Sequence, residues 1–247
     1  MKQWVNIFEK IRDAKIDFFP FPHFVIRDFF SPNQLNNLRR SFPKEKIRQS
    51  KMTSKSRYTI VHESRQFNDL LNESLVWKNF YDQMSSDNFV SSVRQKYSET
   101  SDFSGDMSEL ELVSQMDITF ASSGYKRSIH LDRGFHFFNS FIYLNGREEF
   151  SGEGGDLQFH KVKNPEGSFD KFPDPSLIED TKTLELEGNT FVGFFCSPWS
   201  YHSVVPMKNN TGTRDFVYCA LNAANGENLW PEAVVFSEER RKRFISE

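Results

Sequence analysis

His130-Leu131-Asp132 sets an imidazole and a carboxylate two residues apart, and His202 and Arg214 follow in that order. Two neutral imidazoles and one carboxylate on a single face of Fe(II) hold the ion while leaving three positions free for a chelating cosubstrate and O2. In extended backbone the side chains of residues i and i+2 point the same way, so one short segment can present His130 and Asp132 together while Leu131 faces the other side. A third ligand must come from elsewhere in the chain, and His202, within Trp199-Ser200-Tyr201-His202-Ser203-Val204-Val205-Pro206, is the candidate. Arg214 opens the apolar run Asp215–Leu221, a setting that favours an inward guanidinium, and a buried guanidinium requires an anionic partner.

The elements that must position these groups are mostly strands. From Glu109 onward, Leu110–Ser122, His136–Asn145, Leu157–Lys161, Thr183–Glu187, Thr190–Phe195, Ser203–Met207 and Phe216–Asn222 read as short strands separated by Gly, Asn, Pro or Ser turns. This spacing fits a sandwich or jelly roll better than a parallel α/β sheet. Before Glu109 the pattern is mixed. Trp4, Ile7, Phe8 and Ile11 recur at helical spacing; Ser31-Pro32 is an N-cap and first-turn pair that predicts a helix from Pro32 to about Arg40; and Leu70–Tyr97 carries further helical patterning. Lys44–Arg57, rich in Lys, Arg and Ser, reads as a loop, Ser98–Ser108 as a polar connector, and Asn164–Lys182 as a long insertion between two strands.

With 247 residues and 37% hydrophobic content the chain can build one well-packed domain, read as a mainly helical or mixed support over 1–108, a strand core over 109–225 and a helical extension over 226–247. The 27 phenylalanines fall largely in alternating or continuous apolar runs, which argues for aromatic packing in a sheet-rich core. A formal charge of −3 supplies no global field for a polyanion, so nucleic acid is not an expected partner. No segment is apolar enough to span a bilayer, the charged N-terminus does not read as a signal peptide, and Cys196 and Cys219 sit in apolar runs as free thiols would; a cytoplasmic protein is expected.

In this ordered set the chain resembles the 2-oxoglutarate and Fe(II)-dependent dioxygenases, most closely their prolyl-hydroxylase-like branch. Phe141-Ile142-Tyr143-Leu144-Asn145 resembles the strand that follows the family's HxD pair, Gly154-Gly155-Asp156-Leu157-Gln158-Phe159 its next strand, and Glu187–Phe195 the turn and strand leading to the distal His. Phe19–Ser31 is similar to the opening strand and helix start, so the resemblance spans about residues 17–225.

The resemblance implies a mainly β fold with flanking helices (α+β), its core a double-stranded β-helix, the cupin-like jelly roll. It further implies His130, Asp132 and His202 as iron ligands and Arg214 with Tyr143 as partners of the distal carboxylate of 2-oxoglutarate. The cofactors implied are Fe(II), 2-oxoglutarate and O2, with ascorbate as an accessory reductant. The carboxylate at Asp132, where halogenases of the family carry a small residue, implies hydroxylation, with desaturation or cyclisation open to the same ligands. A small-molecule or peptide substrate is implied, in particular a peptidyl prolyl residue or an amino acid. Tyr125, Arg127, Arg133 and Trp199 flank the ligands and are substrate-contact candidates, while His136 and His160 are weaker pocket candidates. Two other readings stay open: a jelly-roll binding domain without turnover, and a cupin-type metalloenzyme that does not use 2-oxoglutarate. Oligomeric state is not legible from the sequence.

Overall fold

The computed structural model describes residues 5–50, 52–54, 56–100, 109–150, 152–163, 169–209, 211–230 and 234–235. Two antiparallel sheets face each other, and a layer of helices covers the outer face of the larger one.

The larger sheet is built around β6 (His136–Tyr143), β10 (Thr190–Phe195) and β12 (Arg214–Ala223). β4 (Leu112–Ala121), β3 (Arg57–Ile60) and β2 (Met52–Ser54) extend it on one side and β1 (His23–Ile26) on the other, in the order β1-β10-β6-β12-β4-β3-β2. The smaller sheet runs β5-β11-β7-β9, from β5 (Arg127–His130), β11 (Tyr201–Val204), β7 (Leu157–Val162) and β9 (Ile178–Leu184). β8 (Phe169–Asp170) and β13 (Val234–Val235) form a short parallel pair apart from both.

Alternation along the central strands decides what each face does. On β10, Phe191 and Phe195 point to the helices, whereas Val192 and Phe194 point into the space between the sheets. Gly193 lies between Phe24, Phe138 and Phe191; a Cβ there would come within 2.6 Å of the Phe138 ring, so glycine is what lets these rings pack over the strand. The three rings are near-parallel, at 17° to 21°, with centroids 5.8 to 6.5 Å apart. Burying each phenylalanine contributes about 1.5–3 kcal/mol, so this aromatic layer carries much of the adhesion between sheet and helices.

The helices are α1 (Val5–Asp13), α2 (Pro32–Arg40), α3 (Lys44–Arg48), α4 (Arg65–Glu73), α5 (Leu75–Met84) and α6 (Asp87–Ser98). α2 starts as its sequence predicts: the Ser31 side chain accepts from the Gln34 backbone and Gln34 returns the bond to the Ser31 backbone, a capping box with Pro32 in the first turn. Ser64, Ser74 and Ser86 cap α4, α5 and α6 through the serine side chain alone, each accepting from the backbone N–H three residues on.

Several boundaries depart from expectation. The expected loop at Lys44–Arg57 instead holds α3 and β2, and its last residue opens β3. α3 is anchored by a single buried apolar residue, Ile47, and β3 is fixed by pairing with the distant β4, so neither carries a local period to read. Through β1, β2 and β3 the first hundred residues therefore contribute strands to the larger sheet as well as supporting helices. β9 begins at Ile178, inside the expected insertion, because its largely exposed edge position favours polar residues that mask strand alternation. β11 begins at Tyr201, two residues early, which puts His202 inside a strand. Trp4, 101–108 and 164–168 lie outside the described residues, as does most of the expected C-terminal helical extension, of which 226–230 is irregular and Val234–Val235 a strand.

Candidate metal centre

β5 and β11 are antiparallel neighbours, and His130 and His202 are direct partners in that pairing. Their rings meet with centroids 4.3 Å apart. Asp132 follows just beyond the end of β5, with Leu131 turned away to pack on Tyr201. Oδ1 of Asp132 lies 3.6 Å from Nε2 of His130 and Oδ2 lies 3.3 Å from Nε2 of His202; one ligand atom from each residue falls within 4.8 Å of the others. Ligand atoms about 2.1 Å from one ion and at right angles stand about 3.0 Å apart, so little movement would close this set on a metal.

The backbone sets the tautomer of both rings. Nδ1 of His130 contacts the Ser128 carbonyl at 2.9 Å and Nδ1 of His202 contacts the Ser200 carbonyl at 3.0 Å. A carbonyl only accepts, so each Nδ1 carries a proton and Nε2 is the ring nitrogen turned toward Asp132. Burial pushes the His130 imidazole down to about 3, with the charge of His202 acting the same way, so it is neutral at physiological pH. Burial alone would raise the Asp132 carboxyl, but His202 and His130 hold it well below the usual carboxylate range. Asp132 Oδ2 also accepts from Nδ2 of the fully buried Asn139, whose Oδ1 accepts from the Tyr218 hydroxyl at 2.7 Å. Two imidazoles, one carboxylate and oriented supporting groups match the donor set for Fe(II).

The triad opens on a cavity of about 100 Å³ between the sheets, and Arg214 and Tyr143 line the same cavity. Arg214 is 1% exposed, donates to the Tyr143 hydroxyl at 2.7 Å, and stacks between Tyr143 and Phe216 with its Cζ 4.6 and 5.1 Å from their centroids. Its Nε has no hydrogen-bond partner, and among the described residues it makes no ion pair. The neighbouring Asp215 faces the other way, toward Lys44 at 3.0 Å. A buried, uncompensated guanidinium is costly unless an anion completes it, so this end of the cavity is shaped for a carboxylate.

Tyr125 and Arg127 also line the cavity. Arg133 does not; it lines a separate cleft with Lys171 and Trp230 on the far side of Asp132. Trp199 is 46% exposed in the turn before β11 and lines neither. His160 is held by Thr181 and Ser203 on the outer side of the smaller sheet, and His136 by Asn222, so neither joins the triad. Sequence reading missed Asn139, Arg57, Asp117 and Tyr218. Asn139 and Tyr218 had a usable signal, since they share the parity of Tyr143 and Arg214 on their strands; Arg57 had none, lying in an expected loop.

No protein-family model matches the sequence, and no curated protein matches it in sequence comparison. Solved structures do match in fold. The chain is similar to a prolyl 4-hydroxylase from Phytophthora capsici, with TM-score 0.58 and 11% identity over 100% of this chain and 74% of that one. An oxidoreductase of the 2OG-Fe(II) oxygenase family from Burkholderia pseudomallei aligns with TM-score 0.52 and 12% identity, over 92% of this chain and 93% of that one. The non-heme alpha ketoglutarate dependent epimerase SnoN from nogalamycin biosynthesis aligns with TM-score 0.54 and 8% identity, over 89% and 80%. The fold is the double-stranded β-helix of the 2-oxoglutarate and Fe(II)-dependent oxygenases, and His130, Asp132 and His202 form an HxD…His triad within it.

Proposed function

We propose that the protein is a 2-oxoglutarate- and Fe(II)-dependent dioxygenase that hydroxylates an unactivated C–H bond of a peptidyl prolyl residue, an amino acid or a related small molecule. The observation that carries this reading is the pairing, in one cavity, of the His130/Asp132/His202 set with a buried Arg214 that lacks an anion. A metal site alone would suit many cupin-type proteins; the guanidinium asks in addition for a carboxylate-bearing partner.

His130, Asp132 and His202 would hold the iron through Nε2, a carboxylate oxygen and Nε2. When bound, iron and 2-oxoglutarate supply the oxidising chemistry, in which O2 is consumed, succinate and CO2 are released and one oxygen atom goes to the substrate. Arg214 and Tyr143 bind and orient the distal carboxylate, the Arg by charge-assisted hydrogen bonds and the Tyr through its hydroxyl. Burial raises the Tyr143 pKa against the opposing charge of Arg214, so the phenol keeps its proton and can donate. Phe216, Phe141 and Leu157 supply an apolar wall that excludes water. Asn139 holds Asp132 in the orientation that faces both imidazoles.

The test is turnover. Succinate release from 2-oxoglutarate, with ascorbate present to keep iron reduced, should require Fe(II) and be abolished by His202→Ala. Iron-independent succinate, or unchanged release in that variant, contradicts the proposal.

A further inference from the structure

Arg214 is one of three guanidiniums that line the metal cavity, and the other two have no role in the reading above. Arg57 on β3 and Arg214 on β12 are both register partners of Ala121 on the intervening β4, so they rise from the same face of the larger sheet. Two strand spacings separate them by about 10 Å. Phe216 stands between, its ring centroid 5.9 Å from the Arg57 Cζ and 5.1 Å from that of Arg214. Arg57 is half-buried, its Nε has no hydrogen-bond partner, and among the described residues no carboxylate lies within ion-pair distance of it. Arg127 joins it from β5 on the opposite sheet.

Asp117 lies on the same wall, two strand positions from Thr119 and four from Ala121, and its alternation turns it to the cavity. It is buried, and its two oxygens accept one bond each, from the His62 backbone at 2.9 Å and Gln115 at 3.2 Å. Each oxygen retains capacity for another donor. The wall thus offers guanidiniums and a carboxylate side by side in a cavity of small volume.

We propose that this wall is the substrate site and that the substrate is a free amino acid, its carboxylate on Arg57 and Arg127 and its ammonium on Asp117. Arg214, one aromatic ring away, is left to the cosubstrate. The assignment rests on the oxygenase reading and narrows it, since an internal peptidyl residue carries neither charge.

The experiment is anaerobic calorimetry of the protein loaded with Fe(II) and 2-oxoglutarate, titrated with the standard L-amino acids, their carboxamides and the matching 2-hydroxy acids. The visible band of the iron–keto acid chelate is followed on the same samples. At least one free amino acid should give saturable heat, with its amide and its hydroxy acid binding roughly tenfold or more weakly. Arg57→Gln should weaken that amino acid by a similar factor and keep the band, whereas Arg57→Lys should recover part of the loss. No heat from any free amino acid, equal binding of the amide or hydroxy acid, or loss of the band in Arg57→Gln overturns the assignment. A missing band in the wild type, by contrast, counts against the oxygenase reading while the heats still decide the amino acid site. The wild-type comparison needs no variant to fold.

Discussion

His130 and His202 are directly opposed residues on β5 and β11, and each ring is turned by a backbone carbonyl two residues earlier, Ser128 or Ser200. The same local device, used twice across one pair of strands, aims two ring nitrogens at Asp132. The candidate metal centre is therefore a property of strand register, and its support should be open to test one group at a time.

Asn139 touches Asp132 and is itself held by Tyr218. Removing it in Asn139→Ala should leave the ligands in place but free the carboxylate to turn, lowering Fe(II) affinity by roughly 10–100-fold. Competition with a metal-sensitive dye measures this; unchanged affinity would remove Asn139 from the centre.

Arg214→Ala should weaken 2-oxoglutarate by roughly a hundredfold, the scale of two charge-assisted hydrogen bonds, while Fe(II) binding is retained. Parallel titrations of metal and keto acid separate the two effects. Equal weakening of both would mean that Arg214 is structural.

Gly154 has φ +82°, and a Cβ on it would meet the Pro206 carbonyl oxygen at 1.9 Å. Gly154→Ala should therefore cost about 1–3 kcal/mol or more, read as a lowered denaturation midpoint, with loss of the turn that feeds β7. A midpoint equal to wild type would show that the chain can pass Pro206 another way.

Burial, aided by the charge of His202, pushes His160 down to about 4 from its ordinary 6.5. Between those values the unfolded chain binds more protons than the folded one, so stability is greatest above about pH 6.5 and declines as pH falls toward 4. His130 in the metal-free protein acts in the same direction and extends the decline toward 3. Urea unfolding of the metal-free protein near pH 7 and near pH 5 should show the loss, and His160→Gln should show a smaller one. An identical pH dependence in the variant would exclude His160 as a contributor.

The triad and the strands that carry its neighbours were legible because they depend on local signals. His130 and Asp132 alternate with Leu131, β10 carries an apolar run from Phe191 to Phe195, and Ser31-Pro32 announces α2. What was not legible depends on pairing across the sheets. Arg57 reaches the cavity only because β3 adds to β4, and nothing between Lys44 and Arg57 carries a strand period. Arg133 and Trp199 lie one and three residues from ligands in sequence, yet the turn after β5 puts Arg133 on a neighbouring cleft and the turn before β11 leaves Trp199 exposed. Of the four residues chosen for proximity in sequence, Tyr125 and Arg127 line the cavity wall, and parity along the paired strands points in addition to Tyr218.

The most direct test is an anaerobic titration of the metal-free protein with Fe(II) and then 2-oxoglutarate, followed by visible absorption. A charge-transfer band that appears only after both additions, and that is lost in His202→Ala, is the predicted result. Metal binding without any band on adding 2-oxoglutarate would contradict the oxygenase account and leave a metal-binding jelly roll.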